Sequence, residues 1–118
     1  MQIVRLVGPD ALPDERRLVL ETARLIREGF LQQNALHPID TYSTPQKQVA
    51  MLRAILHFHQ RGEAIVARGA PIFRIRDLPA VGLILRMKTD VPNEDVTRIE
   101  EVVNTIDRQM DDLEREYM

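Results

Sequence analysis

The residues best suited to chemistry lie between Phe30 and Gln48, in the stretch FLQQNALHPIDTYSTPQKQ. Gln32, Gln33 and Asn34 interrupt an apolar helical pattern. A turn-rich segment containing Pro38 runs from His37 to Tyr42, and Ser43, Thr44 and Pro45 then open another helix. Each side-chain amide offers both donors and an acceptor. A Tyr ring adds an apolar face with a polar tip. An amide-rich corner followed by Tyr42 therefore suits the edge of a planar ligand or the surface of another protein chain. The same residues also make a plain helix–helix connection with ordinary capping.

Other chemistry is largely absent. The glycines are Gly8, Gly29, Gly62, Gly69 and Gly82, and none belongs to a G-x-x-x-x-G-K-[ST] or G-x-G-x-x-G loop that would cradle a phosphate. His57 and His59 are two residues apart, which on a helix turns them about 200° from each other, so they cannot share a metal ion. They read as surface or half-buried histidines. His37, before Pro38, reads as a structural hydrogen-bonding group. No spacing points to a Ser–His–acid arrangement, and the Asp111–Asp112 pair belongs to a solvated helix face. Cys is absent, which removes disulfides and Cys-based zinc sites. Taken alone, the residues predict a helical binding or interaction module with no catalytic residue, no metal site and no cofactor held by this chain by itself.

The elements that must position the corner follow from the rest of the chain. The 118 residues, 44% of them hydrophobic, are enough for one domain, 1–118, with a modest core. No apolar run approaches the ~20 residues of a membrane span. Arg5 and Gly8 interrupt the short apolar start, so no signal peptide or membrane insertion is expected, and the absence of Cys is compatible with a cytoplasmic location. A net charge of −2 gives no reason to expect nucleic acid. The charge is uneven: residues 92–118 sum to −6 and residues 1–91 to +4, the acidic part reading as a solvated face on the last helix.

Taken in order, residues 2–7 read as a short extended lead-in ending at Gly8-Pro9. Pro13 suits the first turn of a helix over 13–32, with Asp14 and Glu15 near its positive end. Val19, Ala23, Ile26 and Phe30 recur at spacings of four, three and four, an apolar stripe. Gly29 weakens the last turn, so a bend or a close packing contact is expected near Phe30. The next helix starts at Ser43 or Thr44, where Ser43 and Gln46 have capping-box spacing, and it ends at Ala67 or Arg68 with Gly69 as the stop. Val49, Leu52 and Leu56 line one face, and Met51, Ile55 and Phe58 widen it, which predicts a central helix with neighbours on two sides. Residues 69–77 read as irregular. Asp77 then caps a short helix with Pro79 in its first turn, running to Met87 or Lys88. The last helix runs over 93–116. Its apolar residues Val96, Ile99, Val103, Ile106, Met110, Leu113 and Tyr117 alternate spacings of three and four, a narrow seam. The expected fold class is all-α: a small bundle of three to four helices with a short extended N-terminal lead-in.

The stretch FLQQNALHPIDTYSTPQKQ closely resembles a signature of the catalytic A subunit of V-type and archaeal-type rotary ATPases. In that family the run usually reads FLQQNAF, then a short stretch ending in DTY, a Pro-containing helix start and KQ. LVGPDALPDERRLVLETARLIRE is similar to the family as well, and LPAVGLILRMK more weakly. The resemblance covers essentially all of this chain but only the C-terminal part of the family's. It implies the C-terminal helical domain of a longer protein, whose phosphate-binding loop, acidic catalytic residues and metal site lie upstream. It further implies a nucleotide pocket for ATP or ADP with Mg2+ in that longer protein, with Gln32, Gln33, Asn34, Ala35, Leu36 and Tyr42 on the adenine side. Leu36 stands where the family usually has Phe, which weakens stacking but keeps apolar cover. The segment Asp10, Ala11, Leu12, Pro13, Asp14, Glu15 and Arg16 falls where the related F-type catalytic subunit carries DELSEED, which implies a contact with the rotor. The implied role is coupling of ATP synthesis or hydrolysis to rotation and to proton or sodium transport. The implied partners are the remainder of the A subunit, neighbouring B subunits and the central rotor stalk, in the peripheral part of a membrane-bound complex. A free-standing helical interaction module without catalysis is the other reading of these residues.

Overall fold

A computed structural model describes residues 12–31 and 44–117, and among these the fold is all-helical. Helix α1 (Asp14–Leu25) continues without a break into a π-helical segment, Ile26–Leu31. It is followed by α2 (Pro45–Ala67), the short α3 (Ile72–Arg76), α4 (Pro79–Asp90) and α5 (Thr97–Arg115). The bundle expected from the sequence is present, with α3 as an additional turn inside the stretch read as irregular. The extended lead-in, residues 2–7, lies outside the described residues.

Helix α2 is the central element, packed against α1, α4 and α5. Met51, Ala54, Ile55, Phe58 and Ile65 are fully buried along one side of it. At about 1.5–3 kcal/mol for each large apolar side chain buried, this stripe is the main stabilising surface of the fold. The two histidines mark its edges. His59 Nδ1 lies 2.6 Å from Thr22 Oγ1 of α1, and His57 Nε2 donates to Asp107 Oδ1 of α5 at 2.6 Å. Two residues' separation on a helix points them to nearly opposite sides, so each meets a different neighbouring helix. The expectation of neighbours on two sides therefore holds, but the face assignment does not. Val49 and Leu56 are about half exposed, on the side away from the core.

The apolar stripe of α1 is corrected in the same way. The buried residues are Leu18, Glu21, Thr22 and Leu25, whereas Val19 is 55% exposed and Ala23 is exposed. Ile26 and Phe30 pack on the core only in part. Leu18 and Leu25 form an i, i+7 pair on the buried line. The polar Glu21 and Thr22 between them obscured it in the sequence; Thr22 is satisfied by His59 and Glu21 by Arg24.

Helix ends account for the remaining differences. Thr44, one of the two starts read from the sequence, caps α2: its Oγ1 accepts from Lys47 N at 3.2 Å, with Pro45 in the first turn. Gly69 stops that helix with φ of 107°, a conformation that favours glycine. Asp77 follows α3 and does not cap α4; Leu78 holds the N-cap position and the helix extends to Asp90. The first turns of α3 and α4 are satisfied from other helices instead. Asp14 Oδ2 accepts from Ile72 N at 3.2 Å, and Gln109 Oε1 accepts from Ala80 N at 2.9 Å. Helix α5 begins at Thr97 rather than near Asn93, and its seam residues Ile99, Ile106, Met110 and Leu113 are buried as the spacing predicts.

Candidate functional site

The two regions singled out by the sequence lie at opposite ends of one helix. From Asp14 to Leu31 the chain runs as 12 α-helical residues followed by 6 in π-helical geometry. At ~1.5 Å per residue this is a rod of roughly 25 Å.

At the start of the rod, Leu12, Pro13, Asp14, Glu15 and Arg16 are described, while Asp10 and Ala11 lie outside the described residues. Pro13 occupies the N-cap position with an exposed ring, and its carbonyl accepts from Arg16 N and Arg17 N at 3.0 Å. Glu15 and Arg16 are exposed. Asp14 is different: it is half-buried, and its carboxylate holds the first turn of α3. Of the described acids in this segment, then, Glu15 is presented to solvent and Asp14 fastens the segment to the bundle.

The other end is held by backbone contacts and buried cations. Gly29 is buried against α4, where an added Cβ would lie 3.1 Å from the Ile84 carbonyl oxygen and 3.6 Å from Leu85 Cα. The π segment, with its wider i→i+5 turns, brings Gly29 to this contact. That meets the expectation of a close packing contact near Phe30. Lys88, 6% exposed, donates from Nζ to the Phe30 carbonyl at 3.0 Å, and the fully buried Lys47 donates from Nζ to the Lys88 carbonyl at 2.6 Å. Buried ammonium groups are costly unless hydrogen-bonded, and here they join the end of α1, the start of α2 and the end of α4. The sequence reading missed both lysines. The signal was present for Lys47, which sits four residues before Met51 on the buried line of α2.

The amide corner follows directly on this end. Gln32, Gln33, Asn34, Ala35, Leu36 and Tyr42 all lie outside the described residues, as does His37.

Between α2 and α5 lies an ion network that the sequence reading did not assemble. Arg61 reaches Asp107 at 2.6 Å and also Asp111, and Arg68 Nε pairs with Glu114 at 3.1 Å. Burial works to raise the Asp107 pKa, but hydrogen bonds from His57 and Arg61 outweigh it, and the carboxyl titrates below the ordinary range. All these groups are partly solvated. Among the described residues no group of three His, Cys, Asp or Glu side chains could hold a metal ion, and no helix is long and apolar enough to cross a membrane.

Comparison with known proteins gives the same direction as the corner motif. A family model described as the C-terminal domain of V and A type ATP synthase matches residues 1–72. The A subunit of the A-type ATP synthase of Methanopyrus kandleri is 51% identical over 113 residues, which is 95% of this chain and 19% of that protein. The V-type ATP synthase alpha chain 2 of Clostridium tetani is 43% identical over 116 residues, 98% of this chain and 20% of that protein. The A subunit of the A-type ATP synthase of Pyrococcus horikoshii is 40% identical over 116 residues, and 12% of its length is covered. The chain thus spans a fifth or less of the length of these relatives.

Proposed function

Since the chain belongs to the family of C-terminal domains of V and A type ATP synthases, we propose that it couples nucleotide turnover to rotor movement as the C-terminal helical domain of a catalytic A subunit. In this reading the parent protein binds ATP or ADP with Mg2+ through residues outside this chain. Gln32, Gln33, Asn34, Ala35, Leu36 and Tyr42 border the adenine side. The segment Asp10–Arg16 meets the central rotor stalk, and the domain sits among neighbouring B subunits and the rest of its own parent protein. It works in the cytoplasmic, peripheral part of a membrane-bound complex that moves protons or sodium ions.

The observation that carries the proposal is the continuity of α1. A displacement at Pro13–Arg16 is transmitted along the rod to Phe30 and Leu31, because the buried Leu18 and Leu25 fasten its length to the core and Lys88 fixes its far end. A packed helix of this length moves as one body rather than bending locally. The amide corner begins at the residue that follows Leu31 in the sequence.

The experiment uses the complete parent protein in its assembled complex. Replacing Leu12, Pro13 and Glu15 with glycine while keeping Asp14 loosens the outer end without removing the α3 cap. ATP hydrolysis should persist while ion pumping per ATP falls. Unchanged pumping per ATP would overturn the lever assignment. Leu36→Phe in the same complex should tighten nucleotide binding modestly, since base–aromatic stacking is worth about 1–3 kcal/mol and Leu already supplies part of the cover. The 118-residue chain by itself should release no phosphate from ATP; metal-dependent release by the pure chain would show a catalytic site that the reading lacks.

A further inference from the structure

A groove of about 370 Å³ runs along the rod, from Arg17 to Arg27, where α3 packs beside it. Arg17 of α1, Arg27 of the π segment and Arg76 of α3 line it, with Leu20 and Ile72 supplying apolar surface. One acid, Glu21, also lines it, but both Arg24 Nε and Nη2 bond its Oε1, so that charge is neutralised inside the groove. The other three guanidinium groups have donors to spare. Arg17 approaches Asp14 only to 3.9 Å and Arg27 approaches Glu28 only to 3.6 Å, both beyond hydrogen-bond distance. Among the described residues no carboxylate lies within ion-pair distance of Arg76. Elsewhere in the same fold Arg61, Arg68 and Arg74 each reach a carboxylate on another helix or just beyond its end.

We propose that this groove docks an acidic polypeptide segment carrying an apolar side chain. Each guanidinium presents a planar fork of donors that fits a carboxylate in two-point fashion. Several carboxylates on one segment engage the three arginines together, while an apolar side chain between them covers Leu20, which is 52% exposed. A small phosphate would find less. The Ile72 N–H at the start of α3 is already taken by Asp14, and the apolar surface would stay uncovered. The docking site does not depend on the adenine or rotor assignments, since it rests on the arginines and the Asp14 latch that sets α3 beside α1.

The test measures binding of a fluorescein-labelled peptide, about ten residues of alternating Glu and Ser with one central Leu, to the 118-residue chain by anisotropy at low salt. The affinity should fall about tenfold in the double variant Arg27→Glu, Arg76→Glu, as two exposed attractive pairs become repulsive. It should be largely kept in Arg27→Lys, Arg76→Lys, and should weaken when the peptide's Leu is replaced by Ser. Both arginines are exposed, so unchanged far-ultraviolet circular dichroism is the expected control for folding. Equal binding by the Glu double variant, or no binding by the parent chain, overturns the proposal. Displacement of the peptide by inorganic phosphate at lower concentration than by unlabelled peptide makes this a phosphate site and also overturns it. Self-association of the chain that the Glu double variant abolishes would assign the groove to a second copy instead, with the same consequence.

Discussion

The two ends of α1 are fastened by different physics. At the start, one carboxylate accepts one backbone N–H, Asp14 from Ile72, and the neighbouring Pro13, Glu15 and Arg16 face solvent. At the end, a glycine is pressed on the α4 backbone and a buried ammonium group holds the Phe30 carbonyl. Side chains at an exposed helix start can change without disturbing the core. A glycine whose added Cβ would lie 3.1 Å from a backbone oxygen leaves no such latitude, because protein interiors are close-packed. The difference fits a rod whose outer end meets a partner and whose inner end sets a position.

The largest expected effect is at the inner end. Gly29→Leu should cost about 3 kcal/mol of unfolding free energy, since its side chain must displace α4 backbone. The natural comparison is Gly62→Ala, whose Cβ would meet Leu18 Cδ1 at 3.3 Å. That terminal methyl can move aside, so a much smaller loss is expected. Urea denaturation of both variants decides the matter: if Gly62→Ala costs as much, tight backbone packing is not what distinguishes the Gly29 end.

Lys88→Met comes next, at about 2 kcal/mol, because the Phe30 carbonyl loses its donor. Asp14→Ala should cost about 1 kcal/mol, comparable to losing a helix cap. With Asp14→Ala and Lys88→Met combined, the losses should add, since the two sites are at opposite ends of the rod and share no partner. A larger loss for Asp14→Ala than for Lys88→Met would invert the comparison between the two ends.

The smallest effect belongs to the α2–α5 network and serves as a reference away from both ends. Folding lowers the Asp107 pKa, so the native state binds fewer protons than the unfolded state as pH falls through the carboxylate range. Its contribution is therefore complete above the ordinary carboxylate pKa and is lost as pH drops through the lowered one. The Asp107 side chain is 38% exposed, so solvent screening keeps the contribution to about 1 kcal/mol or less. Asp107→Asn should lower the urea midpoint at neutral pH and match the parent chain in strong acid. A constant difference across that range would show that ionisation is not the source.

Much of the bundle follows from local rules. Pro45 and Gly69 bracket α2 because a proline suits a first turn and a glycine suits the left-handed stop. The alternating apolar spacing of α5 placed Ile99, Ile106, Met110 and Leu113 on the buried side. The corner motif pointed to the family before any fold was known. These signals are short-range: each depends on a residue and its neighbours within one or two helical turns.

Other features depend on which helices came together. The buried face of α1 includes Glu21 and Thr22, which are acceptable inside only because Arg24 and His59 satisfy them. Likewise, Asp14 and Gln109 cap helices that start far from them in sequence, where the local N-cap residues Pro71 and Leu78 offer no side-chain hydrogen bond. Lys47 and Lys88 lie in the interior because packing delivers backbone carbonyls to their ammonium groups. A one-dimensional pattern ranks residues by polarity, and polarity is a guide to burial only when no partner is available. Residue order alone was enough to make these segments helical and to point to the family. Helix packing settled which polar groups found partners, and with them the burial of each helix face and the anchoring of α1 at its two ends.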